Sequence, residues 1–406
     1  MRMTADDLSQ ESSTPSMVQY GIRLLYITDA VLLGGDTRCE VWLLRIIDKQ
    51  LFSITALTSS EGPTAEQIEH IAGIRHIPLH FGVLDMPEKR GLTNRLKSAL
   101  SFMSALAKVG WIAWRTRPQI IFTGDRTRAM VAARFVARIT HAFLVYHPQF
   151  FFTPGFRNAN LKRRTALKAD LVITNSGYTN RSYAQLGVPS EKLLMAYNAI
   201  DAGAFSPGDG SKTRAQLGIA ENALVLGIFS ILRPFKGHDT LLRAMPRILE
   251  TVPQAHLLIV GGGELEGELK ELSTKLQLDQ HVTFAGSQQN TLPFYRAIDL
   301  YIMASIEEPF GLVTIEAMAC EKAVVGTNSG GTPEIVIDKE TGLLVPPEQP
   351  EALADAAITL LLDPARRQQM GQKGRQRVLE QFTLQGRTNR IADALEQIVS
   401  RKAKDK

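Results

Sequence analysis

The chain has 406 residues, of which 44% are hydrophobic and 21% are charged, a composition typical of a globular protein. This length exceeds one ordinary core, so we expect two domains. Two cysteines cannot form a disulfide framework, and no stretch reaches the roughly 18 to 20 apolar residues that span a bilayer. We therefore expect a protein that is cytoplasmic or peripheral on the inner face of the membrane. Residues 1–20 are polar with no apolar run, so we expect a disordered segment and no signal peptide there.

Charge is divided unevenly between the two halves. Residues 1–200 carry 24 Lys and Arg against 15 Asp and Glu, whereas the remainder carries 22 against 26. Within 89–168 there are 16 basic residues and one acid, Asp125, together with Trp111 and Trp114. Such a segment suits an anionic membrane surface, and less readily nucleic acid. It is also typical of an ordinary amphipathic helix, predicted over 92–115, with a solvated basic face and its tryptophans in the core.

Short apolar runs alternate with helical patterns along the whole chain, as a parallel sheet with crossover helices requires. In the first half they lie at 23–28, 52–57, 119–123, 143–147 and 171–175. A glycine loop at Gly34 and Gly35 follows the first run, and a helix is predicted from about Arg38. In the second half the runs lie at 224–230, 255–261, 282–285, 299–304 and 323–326.

The pattern therefore predicts two Rossmann-like, doubly wound α/β domains facing each other across a deep cleft. We place the first domain at 21–205 and the second at 206–385, with a linker at 205–211 that is rich in turn-forming residues. A helix at 386–402 is expected to cross back to the first domain. Ligands of such sheets bind at the carboxyl ends of the strands.

Two loops of the second domain suit phosphate. The loop that contains Arg233 and Lys236 precedes a predicted helix at 239–250, so two cations and a helix start converge. Solvated surface cations would explain the same residues. The glycine run that ends at Gly263 also follows a strand and opens a helix, although glycines there can simply permit tight packing.

The segment E-P-F-G-L-V-T-I-E is the most informative motif. It places Glu308 in a strand-to-helix loop and Glu316 on the second turn of the following helix. The amides of Gly311, Leu312 and Val313 would face the loop mouth, where a helix start favours phosphate, while the carboxylates would accept hydrogen bonds from sugar hydroxyls. A solvated helix face would also account for two glutamates at this spacing. The nearby S-G-G-T-P-E loop adds a second glycine turn before a helix.

In order along the chain, R-P-F-K-G-H-D, L-I-V-G-G-G-E, E-P-F-G-L-V-T-I-E-A-M-A-C and S-G-G-T-P-E-I-V resemble the nucleotide-sugar domain of the retaining GT-B glycosyltransferases of family 4. The resemblance is strong over 220–350 and weaker upstream. It implies that Glu316 binds the ribose hydroxyls and that Glu308 lies near the transferred sugar. Lys236 would neutralise the diphosphate together with Arg233, which stands three residues before it rather than the usual five.

The resemblance also implies that Gly311 to Val313 contact the donor, that Gly34 and Gly35 line its phosphate side, and that His147 lies next to the sugar. A lone histidine is more often structural. Because no D-x-D motif occurs, no metal or other cofactor is expected.

These observations predict a metal-independent, retaining transferase that moves a hexose-type sugar from a UDP- or GDP-sugar to a hydroxyl on a glycan or lipid-linked glycan. Two alternatives remain at this point. One is a noncatalytic nucleotide-sugar-binding or scaffold subunit, and the other is a nucleotide-sugar epimerase of the same fold.

Overall fold

The computed structural model describes residues 21–81, 92–155 and 158–404, so the predicted disordered segment 1–20 lies outside the described part. The described chain forms two domains, each built on one parallel sheet with helices on both faces. The fold is the predicted pair of Rossmann-like α/β domains.

The sheet of the first domain has seven strands. They are β1 (Ile22–Ile27), β2 (Phe52–Ser59), β3 (Ile74–Leu79), β4 (Ile120–Thr123), β5 (Phe143–Tyr146), β6 (Leu171–Thr174) and β7 (Leu193–Met195), in the order β3-β2-β1-β4-β5-β6-β7. All neighbours are parallel. The connecting helices are α1 (Gly35–Ile46), α2 (Pro63–Glu69), α3 (Leu92–Thr116), α4 (Thr127–Thr140), α5 (Ala159–Lys168) and α6 (Gly177–Gln185).

The second domain repeats this arrangement with six parallel strands. They are β8 (Leu224–Phe229), β9 (Ala255–Val260), β10 (Val282–Phe284), β11 (Leu300–Met303), β12 (Ala323–Thr327) and β13 (Gly342–Val345), in the order β10-β9-β8-β11-β12-β13. Its helices are α7 (Ser211–Gln216), α8 (His238–Thr251), α9 (Glu266–Lys275), α10 (Leu292–Ala297), α11 (Leu312–Ala319), α12 (Thr332–Ile335), α13 (Pro350–Leu362) and α14 (Pro364–Gln381).

Both faces of each sheet are buried, which explains the continuous apolar runs in the sequence. In β1, Leu25 packs into the core on one face, whereas Leu24 and Tyr26 pack into the core on the other. Successive side chains of a strand point to opposite faces, so a sheet covered by helices on both sides needs apolar residues at every position.

The chain passes between the domains twice. After α14, a bridge between Ile200 and Thr383 joins the two crossing points. The last helix, α15 (Leu384–Lys404), then returns to the first domain, where Ile391 and Leu395 are fully buried. The predicted linker packs on the second domain, because the Arg296 side chain donates hydrogen bonds to Ser206 and packs against Gly208.

Candidate active site

The site lies where the carboxyl ends of the two sheets meet. Ser176, which follows β6, donates a 2.6 Å hydrogen bond to the carbonyl oxygen of Pro309 in the E-P-F-G loop. A Cβ atom at Gly35 would lie 3.3 Å from Leu312 Cδ1 at the start of α11. The structure thus brings the glycine loop of the first domain against the helix start of the second, and a donor contact for Gly34 and Gly35 stays a prediction.

The E-P-F-G loop turns the chain from β11 into α11. Gly311 caps this helix with φ of 111°, a conformation that glycine adopts without steric cost. The first backbone N–H groups of α11 have no acceptor within the helix, so the half-buried Leu312 and Val313 present donors at the domain interface. Anion binding by Gly311, Leu312 and Val313 at this helix start stays a prediction.

The S-G-G-T-P-E loop packs directly against the backbone of the E-P-F-G loop. The amide of Gly331 donates a 2.7 Å hydrogen bond to the carbonyl oxygen of Glu308. A side chain at Gly330, whose φ is 61°, would overlap that same oxygen. A Cβ atom at Gly331 would lie 2.5 Å from the carbonyl oxygen of Pro309, so both glycines are explained by the close approach of one backbone to another.

Glu316 is buried and paired. It is 1% exposed, and its Oε1 accepts a 2.9 Å hydrogen bond from Arg38 Nη2 while Oε2 accepts a 2.8 Å bond from Tyr295. Burial raises the pKa of Glu316, and Arg38 and Tyr295 partly offset this shift. The carboxylate can accept hydroxyl hydrogen bonds, the role that the resemblance implies.

No local pattern in the sequence assigns a role to Arg38. This residue lies in the first turn of α1, just after the two glycines, and its guanidinium stacks 5.3 Å from the centroid of the Trp42 ring. Arg38 Nε is buried with no hydrogen-bond acceptor among the described residues. The sequence near Arg38 shows only a basic residue three positions after Gly35. Its partner, Glu316, is 278 positions away along the chain.

Glu308 forms the second buried ion pair of the site. It is 8% exposed, and its Oε2 lies 2.5 Å from Lys236 Nζ. Ser305 Oγ donates a further 3.2 Å hydrogen bond to the same oxygen. The structure therefore pairs Glu308, the first glutamate of the motif, with Lys236 of a separate loop. The family resemblance assigns this lysine to the diphosphate.

The loop that carries Lys236 is fixed by backbone packing. A side chain at Gly237, whose φ is 68°, would overlap the carbonyl oxygen of Ala304, and the amide of Ile306 donates a 2.9 Å hydrogen bond to Phe235. Arg233 is exposed, and its side chain has no ion pair among the described residues. It is therefore free to contact a bound anion.

Behind this loop, His238 is buried and hydrogen-bonds Ser230 Oγ through Nε2 at 3.1 Å. Burial, and secondarily Lys236, lowers the pKa of His238 from 6.5 to about 4. A neutral imidazole thus supports the cationic loop near neutral pH.

Gly263 is required by packing. A Cβ atom there would lie 2.5 Å from the carbonyl oxygen of Leu232, so the glycine run of the β9–α9 loop lies directly against the loop after β8. This is the packing alternative of the sequence analysis, and a donor contact for Gly263 stays a prediction.

His147 is fully buried at the end of β5. Its Nε2 accepts a 3.0 Å hydrogen bond from Arg387 of α15, and its Nδ1 lies 3.4 Å from Glu40 Oε1. Because arginine can only donate, this contact requires Nε2 to be unprotonated. The structure thus places His147 in a buried network that ties α15 to the first domain, and its position next to the sugar stays a prediction.

A further contact between the domains was not predicted. Glu334 of the S-G-G-T-P-E loop accepts hydrogen bonds of 2.6 Å from the amides of Gly177 and Tyr178, at the start of α6. Tyr178 also donates to Glu307, and burial together with this bond raises the Tyr178 pKa to about 12. A carboxylate of one domain therefore caps a helix of the other.

Within residues 21–81, 92–155 and 158–404, no group of three or more His, Cys, Asp or Glu side chains is arranged to hold a metal ion. In the same ranges, no helix is both long and apolar enough to cross a bilayer.

The two facing α/β domains and the site between them define the GT-B fold of glycosyltransferases. Anabaena HepE, crystallised in complex with UDP and glucose, has a TM-score of 0.79 and 25% identity, with 92% of this chain and 99% of that chain covered. Sucrose-phosphate synthase from Thermosynechococcus elongatus shares the fold at a TM-score of 0.77 and 24% identity, over 93% of this chain and 99% of the other.

Residues 209–377 match the family model described as Glycosyl transferases group 1, so the second domain is a group 1 glycosyl transferase domain. Among curated relatives, the GDP-mannose-dependent alpha-(1-6)-phosphatidylinositol monomannoside mannosyltransferase of Mycolicibacterium smegmatis is 34% identical over 244 residues, or 57% of this chain and 64% of the relative. The N-acetyl-alpha-D-glucosaminyl L-malate synthase of Bacillus anthracis is 32% identical over 223 residues, or 55% and 58%. The chain thus covers less than two thirds of the length of these relatives.

Proposed function

We propose that the protein is a glycosyltransferase that moves a hexose-type sugar from a UDP- or GDP-sugar to a hydroxyl acceptor. The observation that carries this proposal is the pair of buried carboxylates, Glu308 and Glu316, on either side of the start of α11, each paired with a cation from another element. Side by side, this arrangement offers carboxylates that can accept hydrogen bonds from sugar hydroxyls, and cations and amides that can donate hydrogen bonds to phosphate. Neither feature alone would require a ligand.

The nucleotide end of the donor would bind at Glu316. Ribose hydroxyls would donate to this carboxylate and share it with Arg38, whose buried Nε has an unused hydrogen. HepE was crystallised with UDP and glucose, whereas the mycobacterial relative is named for GDP-mannose, which supports a nucleotide-sugar donor without choosing its base.

The diphosphate would bind near Lys236 and Arg233. On binding, phosphate oxygens would draw Lys236 from Glu308 and leave this carboxylate for the hydroxyls of the sugar. The two cations and the amides of α11 would then stabilise negative charge on the departing nucleoside diphosphate, a contribution that is largest in the transition state. This supply of positive charge supports the proposal that no metal is needed.

We propose that transfer retains the anomeric configuration, as the family resemblance implies. A bond forms between the acceptor oxygen and the anomeric carbon while the bond from that carbon to the phosphate oxygen breaks. The acceptor attacks from the face of the leaving group, and its proton passes to a phosphate oxygen of the nucleoside diphosphate. No protein base is required in this account.

The acceptor is proposed to be a glycan or a lipid-linked glycan. The basic first domain and the name of the mycobacterial relative, a phosphatidylinositol monomannoside mannosyltransferase, support an acceptor at a membrane surface. The protein would then work in the cytoplasm or on the inner face of the membrane.

The test is a thermal shift with UDP, GDP, ADP and their sugar conjugates in EDTA, on the wild type, Glu316→Ala and a control, Glu271→Ala, on the exposed face of α9. Ligand that binds the native state raises the midpoint. We expect one nucleotide class to stabilise the wild type and the control, and the shift to be lost in Glu316→Ala. No shift with any nucleotide would contradict the proposal.

Catalysis is tested with the donor class so identified. We expect donor consumption with a glycan or lipid-linked acceptor, and an unchanged anomeric configuration in the product by NMR coupling constants. Donor binding without hydrolysis or transfer would instead indicate a noncatalytic subunit, and a change of configuration in the free donor sugar would indicate an epimerase.

A further inference from the structure

Helix α3 exposes a stripe of large apolar side chains along its length. The exposed fractions are 63% for Leu96, 63% for Leu100, 60% for Met103, 57% for Trp111 and 70% for Trp114. Their spacing of three, four or eight residues places them on one face of the helix. The sequence alternative with both tryptophans in the core is therefore wrong.

The opposite face of α3 is anchored in the core of the first domain. Ala105, Val109, Ile112 and Ala113 are buried there against the sheet. The helix thus has two apolar faces. One is buried against its own domain, and the other is exposed on the outside. A solvated helix would have no need for two tryptophans on that outer face.

Helix α4 extends this apolar surface. Phe135 is 42% exposed and Ile139 is 51% exposed. A Cβ atom at Gly110 would lie 3.7 Å from Phe135 Cε1 and 4.0 Å from Ile139 Cδ1, so both side chains adjoin α3 next to Trp111. We call the exposed residues 96, 100, 103, 111, 114, 135 and 139 the α3–α4 surface.

Basic side chains flank this surface. Lys97, Lys108 and Arg115 are exposed. Lys97 and Arg115 each follow a residue of the apolar stripe directly, and Lys108 lies about one helical turn before Trp111. The Arg115 guanidinium lies 5.8 Å from the centroid of the Trp111 ring. Between residues 92 and 155 the only acid is Asp125, which is largely buried and paired with Lys162. The surface is therefore apolar and cationic together.

A recess of about 540 Å³ opens beside Trp114. Its lining includes Ile139, Arg23 and Arg117, and no Asp or Glu contributes to it among the described residues. The recess lies at the amino ends of β4 and β5, away from the candidate active site. It gives a bulky polar headgroup room next to the tryptophan.

We propose that the α3–α4 surface docks on a bilayer that contains anionic phospholipids. Tryptophan, leucine and phenylalanine side chains would enter the region between headgroups and acyl chains, while the flanking cations would contact lipid phosphates. Pairing with a second copy through the same surface would place the cationic flanks against each other. Nucleic acid would leave the leucine and methionine side chains in water.

The orientation of α3 connects this surface to the site. Ser101 Oγ donates a 3.0 Å hydrogen bond to the carbonyl oxygen of His80, which follows the carboxyl end of β3. The Leu96 end of the stripe therefore lies on the side of the sheet that faces the other domain. If the proposed transferase function holds, docking would hold the cleft next to the membrane, where a lipid-linked acceptor is anchored.

The test is co-sedimentation of the full chain with phosphatidylglycerol-containing vesicles and with pure phosphatidylcholine vesicles. We expect binding to the anionic vesicles only, a blue shift of tryptophan emission, and loss of binding at about 1 M salt, where the Debye length is about 3 Å. Trp111→Ala/Trp114→Ala should weaken vesicle binding about tenfold or more and abolish the blue shift. Lys108→Glu/Arg115→Glu should also weaken it about tenfold.

The matched control is Leu362→Ala/Leu379→Ala, which removes two apolar side chains of the second domain that are 57% and 49% exposed. It should bind vesicles like the wild type, and all variants should keep the wild-type unfolding midpoint. Failure of the wild type to bind anionic vesicles would overturn the proposal, as would unchanged binding of the tryptophan variant. A dimer that the tryptophan variant dissociates, or binding to DNA without binding to vesicles, would also overturn it.

Nucleotide binding by the same preparations separates the two proposals. If the protein binds anionic vesicles but no nucleotide, the docking proposal stands and the transferase proposal fails. If it binds a nucleotide but no vesicles, the transferase proposal stands and the docking proposal fails.

Discussion

Arg38 Nη2 lies 2.9 Å from Glu316 Oε1, so the first helix of one domain neutralises a buried carboxylate of the other. The side chain of Glu316 is only 2% exposed, whereas that of Arg38 is 32% exposed. The two residues are therefore at once a contact between the domains, a charge pair and a candidate ligand site. A bound ribose would have to replace or share this contact.

A double-mutant cycle of Arg38→Met and Glu316→Gln should give a coupling energy of about 1–3 kcal/mol, because removing Arg38 leaves the buried Glu316 carboxylate without its cation. Urea unfolding measures it. The exposed pair of Arg247 and Asp355, whose side chains are 53% and 57% exposed, serves as the control and should give less than about 1 kcal/mol. Equal values for the two pairs would contradict the structural assignment.

Glu316 should also make stability depend on pH. Burial raises its pKa above the ordinary value of 4.5, so the folded state holds the proton more tightly than the unfolded state. Its contribution is full below pH 4.5 and is lost as pH rises toward the folded pKa. Relative to the wild type, Glu316→Gln should therefore gain stability across this window and level off above it. The measurement is urea unfolding of both proteins at several pH values. If the difference in their unfolding free energies does not change with pH, the raised pKa of Glu316 is refuted.

His238 should give the opposite dependence of stability on pH. Because burial lowers its pKa from 6.5 to about 4, protonation favours the unfolded state, and stability falls as pH decreases between these values. The loss amounts to about 3 kcal/mol at most. His238→Gln should show a shallower decline over that range than the wild type, while His70→Gln, at an exposed position, should not.

Lys236→Met should reduce kcat/KM of the proposed transfer by about 100-fold or more, since it removes positive charge at the leaving diphosphate. Initial rates with saturating acceptor measure this loss. Lys270→Met is the matched control, because this lysine pairs with Glu266 on the exposed face of α9. Full activity of Lys236→Met would exclude Lys236 from the chemistry.

Two glycines with nearly the same backbone conformation provide a test of the loop. Gly237 has φ of 68° and Gly218 has φ of 67°, but only Gly237 lies against another backbone, at Ala304. Gly218→Ala should cost about 1 kcal/mol of unfolding free energy, through its backbone conformation alone. Gly237→Ala should cost clearly more and should weaken donor binding, because the loop that carries Lys236 must shift. Similar losses in both variants would mean that the contact is unimportant.

The sequence predicted the central strands of both sheets, because buried parallel strands are continuous apolar runs. The strands β3, β7 and β13 were not predicted, and all three lie at sheet edges. In β3, I-R-H-I-P-L contains polar residues and a proline, and β7 has three half-buried residues. Edge strands are covered on fewer sides, so their sequences carry a weaker apolar signal.

Local pattern also indicates candidate site residues but not how they pair. Glu308, Glu316 and Lys236 were predicted from loops and helix starts, since each lies next to a turn that glycine or proline marks. The partnership of Arg38 with Glu316, and the capping of α6 by Glu334, join residues more than 150 positions apart. Spacing along the chain contains no information about such contacts.

The return of α15 to the first domain has a consequence for biosynthesis. Ile391 and Leu395 complete the same core as Val41 and Leu44, although the whole second domain is translated between them. While the ribosome is still making the second domain, the earlier domain has an open groove where α15 will lie. The domain that emerges first is therefore completed last, and a chain stalled before α15 would present that groove to chaperones and proteases.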